Sequence, residues 1–199
     1  MIKEIKLSDK VSIYKTKIET SNRLKLIESI RYNKEFSLTT SSPSKTQPGW
    51  QSRILISTPE IEEITNNVKD IFFKLFNLEK STPYYHHQWS YISENTNNHT
   101  GWHTHINNFD TVTKNKWTYT YYVQMPDNLI EDDGKLAFKL ESNEVHMVLP
   151  EVDDLYIFPS TLLHAPITNT NSILERIVIA GVWSDIDLGV TLKNNKTLL

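Results

Sequence analysis

The sequence predicts an α+β fold in which two N-terminal helices support a C-terminal β-barrel. Apolar residues recur with the 3.6-residue period of a helix in 21–32 and 58–79, and seven strand-like segments follow one another after residue 83. No helical pattern interrupts those seven segments, which favours an antiparallel sandwich or a small barrel. The length of 199 residues suits one domain. We expect it to span 1–199, with a support region 1–82, a β-core 83–185 and a tail 186–199.

The support region is predicted to hold short strands as well as helices. Alternating residues predict strands over 2–7 and 11–18, and RILIS at 53–57 reads as another strand after a polar loop that ends in PGWQS. The second helix has a clear start, with Thr58 as N-cap and Pro59 at the first helical position. Its apolar stripe is expected to face the core, and comprises Ile61, Ile64, Val68, Ile71, Phe72, Leu75 and Phe76.

Turn signals such as Asp133-Gly134 and Ser142-Asn143 separate the strands of the β-core. We predict strands over 85–93, 101–107, 117–125, 134–140, 145–149, 154–158 and 173–184. In the third of these, Thr118, Thr120 and Tyr122 share one face with Gln124. A polar face turned into a barrel indicates that the barrel holds a polar ligand.

The composition excludes several classes of function. The net charge is −3 and the sequence pI about 6.2, without a basic patch, so neither a nucleic acid nor a membrane surface is an expected partner. No run of about 18 apolar residues is present, and a cytoplasmic protein is expected. The chain has no cysteine, which excludes disulfides, thiolate zinc sites and a cysteine nucleophile. Any metal must therefore be held by nitrogen and oxygen ligands.

Histidines at two distant points of the chain suggest a metal site. The segment GWHTHIN at 101–107 puts His103 and His105 on one face of a predicted strand. The segment DLYIFPSTLLHAP at 154–166 reads as a buried strand that ends at Pro159 and is followed by His164. Two ligands from one strand and a third from a later strand is the layout of a facial triad with open coordination positions. Open positions indicate catalysis rather than a closed structural site.

Arg176 lies in a predicted strand, ILERIVIAGVW, that is apolar on both faces. A buried guanidinium keeps its charge and needs an anionic partner. The residues leave two alternatives open at this point. The partner is either an internal carboxylate of Asp or Glu, or the carboxylate of a bound ligand held in bidentate fashion.

The combination of these features resembles the iron(II)- and 2-oxoglutarate-dependent oxygenases, and within them the prolyl-hydroxylase-like group of bacteria and phages. The matching segments are GWQS at 49–52, WHTH at 102–105, TYYV at 120–123, DGKLAF at 133–138, DLYIFPSTLLH at 154–164, and Arg176. The resemblance implies a double-stranded β-helix (jelly-roll) barrel and a dioxygenase that hydroxylates a protein or small-molecule substrate with iron(II), 2-oxoglutarate and O2. It also implies that His103 and His164 bind iron, and that Arg176 and Tyr122, beside Thr120 on the same face, hold the far carboxylate of 2-oxoglutarate.

The sequence departs from this family at one ligand. Most members have HxD or HxE, and here His105 stands at the acidic position. The expected metal ligands are therefore His103, His105 and His164, with Asp110 as an alternative oxygen ligand and Asn107 as a weaker one. The other histidines are interpreted differently. His99 is expected at the surface or near the ligands, His86 and His87 on opposite faces of a strand, and His146 solvated in a hairpin.

Two other classes compete with the oxygenase. A cupin shares the barrel topology, and HTHINNFD resembles its first metal motif, but Thr161 stands where its second motif has glycine. A non-catalytic β-sandwich would use the histidines as structural ligands. Neither alternative gives Arg176 a role in binding 2-oxoglutarate. The segments 36–48 and 126–133 are candidate lids, and the candidate entrance aromatics are Trp89, Tyr91, Trp102 and Phe109.

Overall fold

The computed structural model describes residues 1–36, 40–41, 49–52, 55–93, 101–105, 113–167 and 174–186. They form two helices and eleven strands. The helices are α1 (Arg23–Phe36) and α2 (Pro59–Leu75). The strands are β1 (Lys3–Lys6), β2 (Ser12–Lys17), β3 (Thr40–Ser41), β4 (Gly49–Ser52), β5 (Tyr84–Ser93), β6 (Thr113–Gln124), β7 (Leu136–Lys139), β8 (Val145–Val148), β9 (Asp154–Pro159), β10 (Leu163–Pro166) and β11 (Arg176–Ile186).

The strands form two antiparallel sheets. The larger has the order β1-β2-β9-β6-β11-β5-β4-β3, and the smaller has the order β10-β7-β8. Side chains from both sheets meet in one apolar cluster between them, where the rings of Phe138 and Phe158 lie 5.1 Å apart. The other face of the larger sheet packs against the two helices through a second cluster. The predicted α+β barrel with two supporting helices is confirmed.

Strand alternation decides which residues of β6 enter the barrel. Tyr119 and Tyr121 are buried in the cluster against the helices, while Tyr122 is buried between the sheets. The start of α2 is also as predicted, because Pro59 follows Thr58, whose side chain accepts a hydrogen bond from the backbone N–H of Ile61. The helix is shorter than 58–79 and ends at Leu75, close to the positive φ of 51° at Asn77.

The predicted strand at 53–57 is wrong for the three residues of it that are described. Asn33 of α1 is fully buried, and its side-chain oxygen accepts the backbone N–H of Ile56 at 2.6 Å. Its amide nitrogen donates to the carbonyl of the same residue at 3.4 Å. These bonds take the groups that a strand would offer to a neighbour. The strand that pairs with β5 is instead the preceding segment GWQS, β4.

The predicted strand at 101–107 is also corrected. Residues 101–105 make a single antiparallel bridge, between His103 and His164 at the edge of the smaller sheet, and 106–107 lie outside the described residues. The remaining predicted strands shift only at their ends, and β3 and β10 are additional strands. Neither helix in the described ranges combines the length and the apolar composition that a membrane span requires.

Candidate metal centre

Three histidines meet at the edge of the smaller sheet. The ligand nitrogens offered by His103, His105 and His164 all lie within 4.8 Å of one another. Backbone hydrogen bonds bring them together, since His103 and His164 exchange N–H···O bonds of 3.0 Å in both directions, and the N–H of His105 donates to the carbonyl of Ser160 at 3.0 Å. The side chains therefore converge because the backbone of 103–105 is fixed against the β9–β10 connection.

Two of the imidazoles are oriented by backbone carbonyls. Nδ1 of His103 lies 3.0 Å from the carbonyl of Gly101, and Nδ1 of His164 lies 2.9 Å from the carbonyl of Leu162. A carbonyl can only accept, so each Nδ1 carries the proton and each Nε2 keeps its lone pair. This arrangement fixes the tautomer and the ring direction, as the second layer of partners does in metal sites.

The surroundings of two of the histidines, His105 and His164, favour neutral rings. Burial, with the nearby His103 acting in the same direction, lowers the pKa of His105 to about 4. Burial also holds the pKa of His164 well below its usual value, assisted by His103 and His105. Neutral imidazoles in close contact present lone pairs rather than charges, and a divalent transition metal is the partner that such a set binds.

A cavity of about 180 Å³ opens between the two sheets next to these histidines. It extends from the histidines to Arg176, so the proposed metal ligands and the buried cation face the same space. Among the described lining residues, Arg176 carries the only permanent charge and none is acidic. The lining comprises Gln51, Trp89, Tyr91, His103, His105, Thr120, Tyr122, Leu136, His164, Pro166, Arg176, Val178 and Ala180.

Arg176 has no carboxylate partner in the described part of the chain. Its side chain is buried, with a relative exposure of 1%, and Nη1 donates to the carbonyl of Ile167 at 2.7 Å. Nη2 is buried and has no hydrogen-bond partner there. The adjacent acid, Glu175, is paired with Arg31 at 2.7 Å on the outside. An internal ion pair, one of the two alternatives for this residue, is therefore absent from the described residues.

The two other predicted ligand-binding residues lie beside Arg176 on the inner face of the larger sheet. Thr120 pairs with Ala180 of β11, and Tyr122 pairs with Val178. Both line the cavity. Burial raises the pKa of Tyr122 above its usual value, although Arg176 opposes this shift. The phenol therefore stays protonated at neutral pH and can donate to an anion.

The predicted entrance aromatics separate into three groups. Trp89 and Tyr91 line the cavity, and the ring of Trp89 lies 5.2 Å from that of His105. Trp102 is 42% exposed and is not among the lining residues. Four positions that the sequence predictions name near the site lie outside the described residues: His99, Asn107, Phe109 and Asp110.

The remaining histidines do not join the cluster. His86 points to the helix side of the larger sheet and contacts the hydroxyl of Tyr119 at 2.8 Å, while His87 lies on the inner face near Trp89. The prediction that they lie on opposite faces is confirmed. His146 was expected to be solvated, but its ring is half-buried in the β7–β8 hairpin and lies 3.1 Å from a carboxylate oxygen of Glu144.

Several functional features were missed by the sequence predictions. Gln51 belongs to the predicted loop, yet β4 pairs it with Tyr91 and turns it into the cavity. The alternation of an aromatic and a polar residue in GWQS could have predicted this strand. Leu136 and Pro166 reach the cavity from the smaller sheet. The carbonyls that orient His103 and His164 belong to the backbone, so no residue type could have indicated them.

Comparisons with known proteins identify the fold. No protein-family model and no curated protein sequence matches the chain. Solved structures do, at low identity. A prolyl-4-hydroxylase from Pseudomonas putida is 15% identical with a TM-score of 0.63, over 87% of this chain and 92% of that chain. A Trichoplax adhaerens prolyl hydroxylase bound to a hypoxia-inducible factor peptide is 15% identical with a TM-score of 0.65, over 90% and 86%.

A third similar structure has a different substrate. HygX from Streptomyces hygroscopicus, with nickel, 2-oxoglutarate and hygromycin B bound, is 11% identical with a TM-score of 0.61, over 89% of this chain and 84% of that chain. In all three comparisons most of both chains superimposes, so the likeness covers the whole barrel rather than one motif. The chain has the double-stranded β-helix fold of the iron(II)- and 2-oxoglutarate-dependent oxygenases.

Proposed function

We propose that the protein is an iron(II)- and 2-oxoglutarate-dependent dioxygenase that hydroxylates a protein or small-molecule substrate. One observation carries the proposal. A three-histidine cluster suited to a metal ion and a buried arginine with a donor that no described residue binds face the same cavity. A ligand that chelates a metal at one end and carries a carboxylate at the other satisfies both, and 2-oxoglutarate is such a molecule.

The residues have distinct roles in this proposal. His103, His105 and His164 hold iron(II), and their Nδ1 contacts with backbone carbonyls keep the first and third of them directed at it. Arg176 binds the far carboxylate of 2-oxoglutarate through Nη2, which has no partner among the described residues, assisted by the hydroxyls of Tyr122 and Thr120. Iron with 2-oxoglutarate and O2 supplies the oxidising power, and the protein orients the reactants and excludes water.

The similar structures support 2-oxoglutarate as the cosubstrate, but their other ligands belong to more than one chemical class. Among them, a viral collagen prolyl hydroxylase from Paramecium Bursaria Chlorella virus-1 contains 2-oxoglutarate, as HygX does. The other ligands are a peptide in one structure and hygromycin B in another. The same fold therefore serves both a protein and a small molecule, and the proposal covers both classes.

The test is an anaerobic titration of the metal-free protein with iron(II) and 2-oxoglutarate. We expect a weak visible charge-transfer band that appears only with both components and disappears on admission of O2, with formation of succinate. His164→Ala should lose the band, because it removes a buried ligand. His146→Ala is the matched control and should keep it, since that ring lies beside Glu144, away from the cavity.

A second pair of variants tests the cosubstrate end. Arg176→Met should bind iron but lose the band at 2-oxoglutarate concentrations that saturate the wild type. Arg31→Met removes an exposed arginine near the same strand and should behave as the wild type. If iron binds and 2-oxoglutarate produces no band in the wild type, the proposal fails and a metal protein that works without 2-oxoglutarate takes its place.

A further inference from the structure

Two hydroxyl side chains are buried together close to the metal centre. Oγ1 of Thr118 and Oγ of Ser160 lie 2.9 Å apart, and the two residues are only 1% and 0% exposed. Thr118 lies on β6, two residues before Thr120, and Ser160 directly follows β9. Buried hydroxyls are unfavourable unless they are hydrogen-bonded, and these two bond to each other. Neither is among the described residues that line the cavity, so contact with 2-oxoglutarate does not explain them.

The backbone of Ser160 connects this hydroxyl pair to a metal ligand. Its N–H donates to the carbonyl of Lys116 on β6 at 3.0 Å, and its carbonyl accepts the N–H of His105 at 3.0 Å. The same connection between β9 and β10 also carries Leu162, whose carbonyl lies 2.9 Å from Nδ1 of His164. Two of the three ligands are therefore held by this connection, and its place depends on how Ser160 is tied to β6.

His105 is held differently from the other two ligands. His103 and His164 exchange backbone hydrogen bonds with each other, and each ring meets a carbonyl two residues earlier in its own segment. The backbone N–H of His105 instead bonds to Ser160, far along the chain. Metal–ligand distances in a well-formed site vary by only about 0.2 Å. A small displacement of Ser160 is therefore enough to move His105 out of place.

We propose that the hydrogen bond between Thr118 and Ser160 positions His105 for metal binding, and that both hydroxyls are positioning residues of the metal centre. The inference rests on the proposed function for the metal at the three histidines. Loss of either hydroxyl leaves the other buried without this bond, which is costly, and the β9–β10 connection shifts to relieve it. Residues that orient metal ligands in this way change metal affinity by about 10–100-fold when they are replaced.

Cobalt(II) provides a test that does not depend on turnover, because its visible spectrum reports the number and kind of its ligands. The metal-free protein is titrated with cobalt(II) in the absence of 2-oxoglutarate. In Thr118→Val and in Ser160→Ala we expect cobalt(II) to bind about 10–100-fold more weakly, with a changed spectrum. Thr118→Ser keeps the hydroxyl and should bind as the wild type does. The double variant should bind no more weakly than the weaker single variant, because both substitutions remove one and the same bond.

A second buried hydroxyl pair in the larger sheet provides the matched control. Oγ of Ser90 lies 3.4 Å from Oγ of Ser52, and both residues are fully buried. Alternation along β4 and β5 places this pair with Trp50 and Ile92, on the face that packs against the helices. Ser90→Ala removes a buried hydroxyl without touching the connection to His105. It should keep the wild-type cobalt(II) affinity, and urea unfolding of each metal-free variant measures its loss of stability separately.

The outcomes separate the inference from the function on which it rests. If the wild type does not bind cobalt(II), the metal centre and the proposed function fail, and the inference fails with them. If the wild type binds it and Thr118→Val and Ser160→Ala bind it equally well, the inference alone is overturned. Additive losses in the double variant, or an equal loss in Ser90→Ala, also overturn it, because they indicate a general effect of stability. If Thr118→Val does not fold, Ser160→Ala, which removes a single oxygen atom, decides.

Discussion

Replacing Arg176 with methionine should stabilise the ligand-free protein and at the same time abolish its response to 2-oxoglutarate. The Arg176 side chain is buried at 1% exposure, and its hydrogen bond to the described residues runs from Nη1 to the carbonyl of Ile167 at 2.7 Å. No carboxylate of the described residues pairs with it, and Nη2 has no partner among them. Methionine fills a similar volume without the charge.

The magnitude follows from two opposing contributions. Removing a guanidinium from water costs several kcal/mol even after relaxation. The single charge-assisted hydrogen bond returns only about 1.5–3 kcal/mol. Exchange for an apolar side chain of similar size should therefore raise the free energy of unfolding by about 1–3 kcal/mol. For a chain of this size that corresponds to an increase in Tm of about 2–12 °C.

Urea unfolding of the metal-free protein at pH 7 measures the expected gain in stability of Arg176→Met. Arg31→Met is the control for loss of an exposed arginine. The loss of the response to 2-oxoglutarate is measured by thermal unfolding with cobalt(II) and 2-oxoglutarate. A cosubstrate at a hundred times its Kd adds about 2.7 kcal/mol to the wild type, and Arg176→Met should gain almost none of this. A loss of 3 kcal/mol or more in the ligand-free variant would refute the reasoning, because it indicates a stranded internal carboxylate.

Two further predictions concern buried ionisable groups outside the cavity. Burial lowers the pKa of His86 to about 4, so the unfolded chain takes up a proton first and stability falls as the pH drops from about 6.5. Between pH 7 and 5 the free energy of unfolding should fall by about 2 kcal/mol because of His86. In His86→Gln, where the glutamine takes the place of the ring beside Tyr119, urea unfolding should no longer show this decrease. Lys15→Met should cost about 3 kcal/mol in the same assay because it leaves the buried Asp154 without its cation. Lys17→Met, which breaks an exposed ion pair, should have almost no effect, and equal effects of the two would contradict the argument.

The face of each long strand could be predicted from the sequence because side chains alternate along a strand. In β6, Thr120 and Tyr122 were expected inside the barrel, and both line the cavity. In β11 both faces are apolar, and this pattern identified Arg176 as buried. In a long strand every second side chain points to the same face, whichever strand lies beside it. The sequence of the strand is therefore enough to predict which residues share a face.

Short segments could not be assigned in this way, because their state depends on distant partners. GWQS alternates and RILIS is a short apolar run, so the sequence allows a strand in either. The choice between them is made by Asn33, which lies about twenty residues before either segment and binds the backbone of Ile56. The segment around His103 is similar. Its single bridge to His164 joins residues far apart in the chain, and no local pattern indicates such a pairing.

The cavity itself follows from side-chain size along the central strand. On the inner face of β11, Val178 lies between Tyr91 and Tyr122, and Ala180 lies between Trp89 and Thr120. Two small residues at the centre of a row of larger ones leave a space, because the neighbouring rings are held too far apart to meet over them. Elsewhere between the sheets, phenylalanine rings in contact fill the same depth. The histidines at the edge and Arg176 on the strand then enclose this space from two sides, so the pattern that packs the barrel also creates its binding site.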